Sequence, residues 1–291
     1  MQNPSMTSRS QNSLAGLGSP HLKRGNHQSK VDLVLKHAMA SWFVIALIGQ
    51  LVFILYISSF YGRAALAGDL SQWNRVLPVG YIPGDTMHNL ALSIHLALAV
   101  LITISGALQL APQIRNNYRS FHRINGKFYF LMAVVTSCAG TYMIWTRDKP
   151  GDLSQDLGVT FNAILIVLCT LMAYRNAAKR NFRAHQEWAL RLFLTVSGTW
   201  FFRIGLFFWL TIHQGPVGFD PKSFSGPFLS ILSFAQSLLP LIIVELCFAA
   251  KRSKQKLMTF CASIAVIISC VVIGIGITSA SLGLWLPRIG N

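Results

Sequence analysis

The chain has 291 residues, 53% of them hydrophobic and only 12% charged, with a formal net charge of +16. A soluble domain carries about 25% charged residues. The apolar residues here gather into runs near the roughly 20 residues that a helix needs to cross a bilayer, so soluble classes are excluded. No alternating segments of about 10 residues appear, which excludes a transmembrane barrel.

Residues 1–35 are rich in Ser, Asn, Gln and Gly and include Arg9, Lys23, Arg24 and Lys30. Such a stretch cannot bury a core and is expected to be a disordered basic tail. It is too long and polar to begin a signal peptide, and no small-residue cleavage site follows the first apolar run. Residues 36–291 are expected to form one transmembrane helical domain. Seven apolar runs are predicted, at 38–60, 87–111, 123–145, 158–174, 186–212, 227–249 and 258–285, with a functional core over 87–212. Pro240 lies inside the sixth run and predicts a kink there.

The gaps between the runs set the orientation. Loop 113–122 and its flank carry Arg115, Arg119, Arg123 and Lys127, loop 175–185 carries Arg175, Lys179, Arg180 and Arg183, and loop 250–257 carries Lys251, Arg252, Lys254 and Lys256. No acid interrupts these three loops. The opposite loops mix Arg63, Arg75, Arg147, Lys149 and Lys222 with Asp69, Asp85, Asp148, Asp152, Asp156 and Asp220. The bias puts the N-terminus in the cytoplasm and the C-terminus outside. The same charges explain the high net charge as contact with anionic headgroups of the lipid bilayer, and a nucleic-acid partner is not expected. The five cysteines, Cys138, Cys169, Cys247, Cys261 and Cys270, all fall in apolar runs and read as small buried hydrophobes.

Two basic loops end alike, as Asn117-Tyr118-Arg119-Ser120-Phe121-His122 and Asn181-Phe182-Arg183-Ala184-His185. His122 and His185 therefore enter the third and fifth helices at one depth on one side. Two such imidazoles suit axial ligation of a b-type haem iron, with Arg119, Arg123 and Arg183 near for its propionates. The plainer reading is that interfacial histidines and basic loops only serve topology. On the other side lie His95, His88 one heptad before it, and His213. His95 and Arg203 are the outer candidates for cofactor contact, although the fourth run offers no second histidine.

Arginine within a span is costly and usually faces the bundle interior. Arg191 lies about 9 Å inward of His185 at 1.5 Å per residue. Glu245, the acid inside the sixth run, falls at a similar depth, so an Arg191–Glu245 ion pair is expected. Arg203 has no acid at its depth and is expected to meet Asp85, a polar loop or an acidic ligand group. The aromatic residues from Trp200 to Trp209 read as packing and lipid contact. No phosphate-binding glycine loop, His-Glu-x-x-His or Gly-x-Ser-x-Gly is present.

Some of these words also resemble a family of predicted bacterial multi-spanning membrane proteins, catalogued as domain of unknown function 2306. The words are His95, then Ser105-Gly106-Ala107-Leu108-Gln109, then His122-Arg123-Ile124-Asn125-Gly126-Lys127-Phe128-Tyr129. Gly158 to Phe161, Ala173, His185-Gln186-Glu187-Trp188-Ala189-Leu190-Arg191 and Arg203 follow. The resemblance implies a membrane protein and no defined activity. A weaker architectural similarity is to b561-type cytochromes, which carry histidines on adjacent helices of a four-helix core; this chain lacks their second histidine pair.

The expected fold is thus an all-α polytopic bundle in a cell inner membrane. The expected function is a haem- or quinone-linked redox component. The alternatives are a solute or proton transporter, with His95, Arg203, Arg191, Glu245, Gln50 and Asn162 edging a cavity, or a non-catalytic assembly subunit of a membrane complex or homo-oligomer.

Overall fold

The computed structural model describes residues 30–77, 79–146, 148–253 and 255–290. Most of the stretch read as a disordered tail, residues 1–29, lies outside the described residues. Its last six residues do not behave as tail, because helix α1 already begins at Lys30.

The described chain is helical from end to end. Helix α1 (Lys30–Ile57) continues through a π-helical turn, Ser58–Gly62, into α2 (Arg63–Leu66), and a 3-10 turn follows at Leu70–Arg75. Then come α3 (Thr86–Leu110), α4 (Pro112–Asn117), α5 (Arg119–Thr146), α6 (Leu153–Ala178), α7 (Phe182–Val196) and α8 (Gly198–His213). The chain closes with α9 (Pro227–Ser253), α10 (Lys256–Ala280), a second π-helical turn and α11 (Leu286–Gly290). Six helices are long and apolar enough to cross a membrane, and α7 with α8, bent by 53°, makes up a seventh crossing.

The distribution of apolar surface fits this reading. Ile48, Leu101, Leu131, Ile164, Ile242 and Ile268 are all exposed, whereas Gln50, Asn162, Thr195, Ser197, Ser233 and Ser237 are buried. In water such an apolar exterior would associate; in a bilayer it is the lipid-facing surface.

Short polar signals start the helices. Asp85 accepts from the His88 N–H to cap α3, Asp152 from the Gln155 N–H to cap α6, and Asn181 from the Ala184 N–H to cap α7. These side chains satisfy backbone donors that lack an intrahelical partner. The backbone N–H of Gln155 holds the Asp152 carboxyl below the usual carboxylate range. The Lys222 N–H, with Ser223, does the same to Asp220 in its turn. Asp69 is lowered by hydrogen bonds from Ser71 and Gln72.

Helices α1 and α10 run side by side in the same direction. Trp42 Nε1 donates to Ser269 Oγ at 2.9 Å near their starts, and Arg63 Nη2 donates to the Ile289 carbonyl at 2.7 Å near their ends. The three basic loops therefore gather at one end of the bundle. The loops that follow α1, α5 and α8 gather at the other, where the Gly151 N–H meets the Ser223 carbonyl at 2.9 Å.

One expectation about helix continuity changes. Helix α9 continues through Pro240, but the chain breaks at Ser197, inside a run that reads as one uninterrupted span. Ser197 Oγ donates to the Phe193 carbonyl at 2.8 Å and accepts from Gln50 Nε2 at 3.0 Å. At Gly198 a Cβ would fall 2.9 Å from Asn162 Nδ2. Asn162 in turn accepts from Ser237 Oγ at 2.6 Å. Polar side chains from α1, α6 and α9 thus converge on the bend, where the helical ladder is interrupted.

The packing beyond the bend is close. A Cβ on Gly276 of α10 would collide with the carbonyl oxygen of Ile204, whereas one on Gly274 would meet open space. Gly276→Ala is expected to cost about 1–3 kcal/mol through overpacking and to lower the unfolding temperature in detergent. Gly274→Ala, a helix-favouring change at an open site, is expected to leave it unchanged or raise it.

Candidate functional site at the basic end

The site is built from two hairpins. In the first, α3 and α5 interlock through polar side chains. Ser105 Oγ donates to Asn125 Oδ1 at 2.9 Å, Asn125 Nδ2 donates back to the Ser105 carbonyl at 3.2 Å, and Gln109 Nε2 donates to the His122 carbonyl at 3.0 Å. Gly126 leaves room for the Gln109 amide, and Gly106 leaves room for the Tyr129 and Phe193 rings. The words Ser105 to Gln109 and His122 to Tyr129 are thus two halves of one helix interface, placing His122 in the first turn of α5.

The second hairpin is α6 with α7. His185, in the first turn of α7, has its Nδ1 3.0 Å from the Ala173 carbonyl of α6. That bond needs a proton on Nδ1, so Nε2 presents a lone pair. Each histidine therefore enters its helix directly after a short basic loop, as the echoed wording implies.

The fold brings the two imidazoles close enough for their charges to interact, with Arg115 also within reach of His122. His122 Nδ1 is buried and has no hydrogen-bond partner among the described residues. Buried polar atoms without partners are uncommon and call for a ligand, an ion or a water. Two imidazoles with nitrogen lone pairs to offer form a donor set that fits haem iron. Arg119, Arg123 and Arg183, close to the two histidines in sequence, are exposed. No group of three His, Cys, Asp or Glu side chains suited to a bare metal ion occurs among the described residues.

About two and a half turns into α7, Arg191 Nε lies 2.6 Å from Glu245 Oε1 of α9. Its guanidinium also stacks over Trp188 at 4.7 Å and Phe248 at 5.0 Å. Arg252 reaches both Glu187, at 3.4 Å, and Glu245, at 4.0 Å. This network ties α7 to α9 directly beneath the histidine pair.

Beyond the bend the outer candidates separate. His95 Nδ1 lies 3.2 Å from the Thr136 carbonyl, with its ring against Gly140, and Arg203 is within electrostatic reach. Arg203 donates to the Thr199 carbonyl at 3.1 Å and stacks 5.4 Å from the Phe53 ring; it has no carboxylate within 4 Å among the described residues. Asp85, considered as its partner from the sequence, instead bonds His88. His88 is engaged on both nitrogens, by Asp85 and by Thr146 Oγ1, and stacks on Tyr142. His213 bonds the Trp209 carbonyl and packs on that indole. Both are structural. Gln50 and Asn162 meet the bend between Arg191 and Arg203, Gln50 through Ser197 and Asn162 against Gly198.

Much of this site falls within a single stretch of similarity. Residues 92–221, less than half of the chain, match the family described as predicted membrane protein, DUF2306, and over that segment the chain is similar to it. Ser105 to Gln109, His122 to Tyr129, His185 to Arg191 and Arg203 all lie in the matched segment, as do both ends of the α7–α8 bend; Gln50 and Glu245 lie outside it. No curated protein and no solved structure matches the chain.

The Arg191–Glu245 contact predicts measurable coupling. In a double-mutant cycle of Arg191→Met and Glu245→Gln, thermal unfolding in detergent is expected to give an interaction of about 0.5–3 kcal/mol. Additive effects would show that the contact contributes nothing to stability.

Proposed function

We propose that the protein is a multi-pass redox component of a cell inner membrane, with its basic end in the cytoplasm and a b-type haem held between His122 and His185. One observation carries this reading: two helix-start histidines lie within electrostatic reach of each other, one with a buried nitrogen that has no hydrogen-bond partner among the described residues. When bound, the haem would supply one-electron chemistry at the cytoplasmic edge of the bundle. The Ala173 carbonyl fixes the tautomer and plane of His185, which raises its basicity as a ligand. The Gln109 amide fixes the first turn of α5 and with it His122. Arg119, Arg123 and Arg183 supply positive charge for propionates at the rim.

A quinone is the electron partner that best suits the rest of the bundle. A cavity of about 420 Å³ lies among α1, α7, α8, α9 and α10, lined by Trp42, Phe43, Phe201 and Phe248 with Gln236 and Ser269. Its size and largely apolar wall suit a flat ring with an isoprenoid tail.

The second reading is a transporter for a small anion. It is favoured by the bent crossing, since broken helices frame binding sites in many transporters, and by Arg203, an intramembrane cation without a carboxylate partner among the described residues.

Protein purified from haem-replete cells is expected to show a Soret band and about one b-type haem per chain, with reduced-minus-oxidised bands lost in His122→Ala and in His185→Ala. Colourless wild-type protein would overturn the redox reading. Colourless protein that also loads proteoliposomes with anions, in a manner lost on Arg203→Ala, would establish the second.

A further inference from the structure

We infer that the end of the bundle opposite the basic loops holds a binding site for a phosphate-type oxyanion, in a cavity walled by Arg63, Arg75 and Arg288. The cavity measures about 420 Å³ and is lined also by Ser59, Phe60 and Gln72. Four separate elements build it: the π-helical turn after α1, α2, the 3-10 turn and α11. No carboxylate lines it among the described residues.

Most acids at this end are engaged by other groups. Asp69 takes hydrogen bonds from Ser71 and Gln72 and lies within electrostatic reach of Arg75, Asp85 bonds His88 and caps α3, Asp152 caps α6, Asp156 pairs with Lys149, and Asp220 closes its own turn. None of the three arginines has a carboxylate within 4 Å among the described residues. Three like charges around one cavity repel each other, and a bound anion would remove that cost.

Two of the arginines are held in place by backbone carbonyls. Arg63 Nε donates to Ser59 at 2.8 Å and its Nη2 to Ile289 at 2.7 Å, while Arg288 Nη1 donates to Leu284 at 3.1 Å. These bonds fix the guanidiniums and leave Arg63 Nη1 and Arg288 Nη2 as unused donors among the described residues. Arg75 makes no hydrogen bond to a described residue, so its whole fork remains available. Forked donors approaching from three directions match a tetrahedral oxyanion better than a planar carboxylate.

The oxyanion can be a lipid phosphate or a soluble one. Leu66 beside Arg63 is 91% exposed, and Leu282 and Leu286 are exposed beside Arg288. The cavity therefore opens at the edge of the lipid-facing surface. The site is independent of the histidine pair and of any haem.

The test uses the full chain in two arms. In the first, protein in nanodiscs containing phosphatidylglycerol and a neutral glycolipid is released into the gas phase, and retained lipid is counted by native mass spectrometry. In the second, lipid-free protein in detergent is titrated with inorganic phosphate while thermal unfolding is followed. Selective retention of phosphatidylglycerol, reduced about fivefold by Arg75→Gln and restored by Arg75→Lys, supports a lipid headgroup. Stabilisation by phosphate with the same dependence on Arg75 supports a soluble anion. Arg75→Gln removes no hydrogen bond between described residues, and Lys179→Gln at the basic end serves as the control. If neither arm responds to Arg75, or if Lys179→Gln has the same effect, the inference is overturned.

Discussion

Inside a bilayer a helix can turn only where something other than water satisfies the backbone it disturbs. In this bundle that place is Ser197–Gly198. Gln50 from α1, Asn162 from α6 and, through Asn162, Ser237 from α9 close around it. The bend divides one crossing into α7 and α8, which point in different directions. Helix α7 leans on α6 and α9, so that His185 reaches the Ala173 carbonyl and Arg191 reaches Glu245. Helix α8 leans on α10, with Ile204 against Gly276. The histidine pair at one end and Arg203 beyond the bend both take their positions from this break.

The basic end is organised by the same economy of polar groups. Several hydrogen bonds there join two helices: Ser105 with Asn125, Gln109 with the first turn of α5, and His185 with α6. Such bonds are worth only modest energies between transmembrane helices, but they fix register and rotation. Fixed rotation is what turns two similar loop endings into two neighbouring imidazoles. His122 Nδ1 and, farther along the same helix, the Tyr129 hydroxyl are buried without a partner among the described residues.

Much of this fold is legible in the sequence. Apolar runs of sufficient length and uneven loop charge make a multi-pass helical bundle readable, because the bilayer leaves few other options. Depth counting is enough to place Arg191 level with Glu245 and His122 level with His185. The bend at Ser197 is hidden, because Ser and Gly in an apolar run are tolerated without a break, and its cause lies in Gln50 and Asn162, far away in sequence. The partner of Arg203 is misread because Asp85 is engaged locally by His88. The arginine cavity is invisible in a linear reading, since Arg63, Arg75 and Arg288 meet only when the first and last helices run in parallel.

The histidine pair is the centre of the account, and the identity of the iron's axial atoms tests it most directly. Electron paramagnetic resonance with nitrogen hyperfine spectroscopy on the oxidised, haem-loaded protein reads those atoms. The account predicts a low-spin ferric signal coupled to two imidazole nitrogens, which is lost in His122→Ala and in His185→Ala. A low-spin signal that survives removal of both histidines, or a protein that takes up no haem, would contradict it.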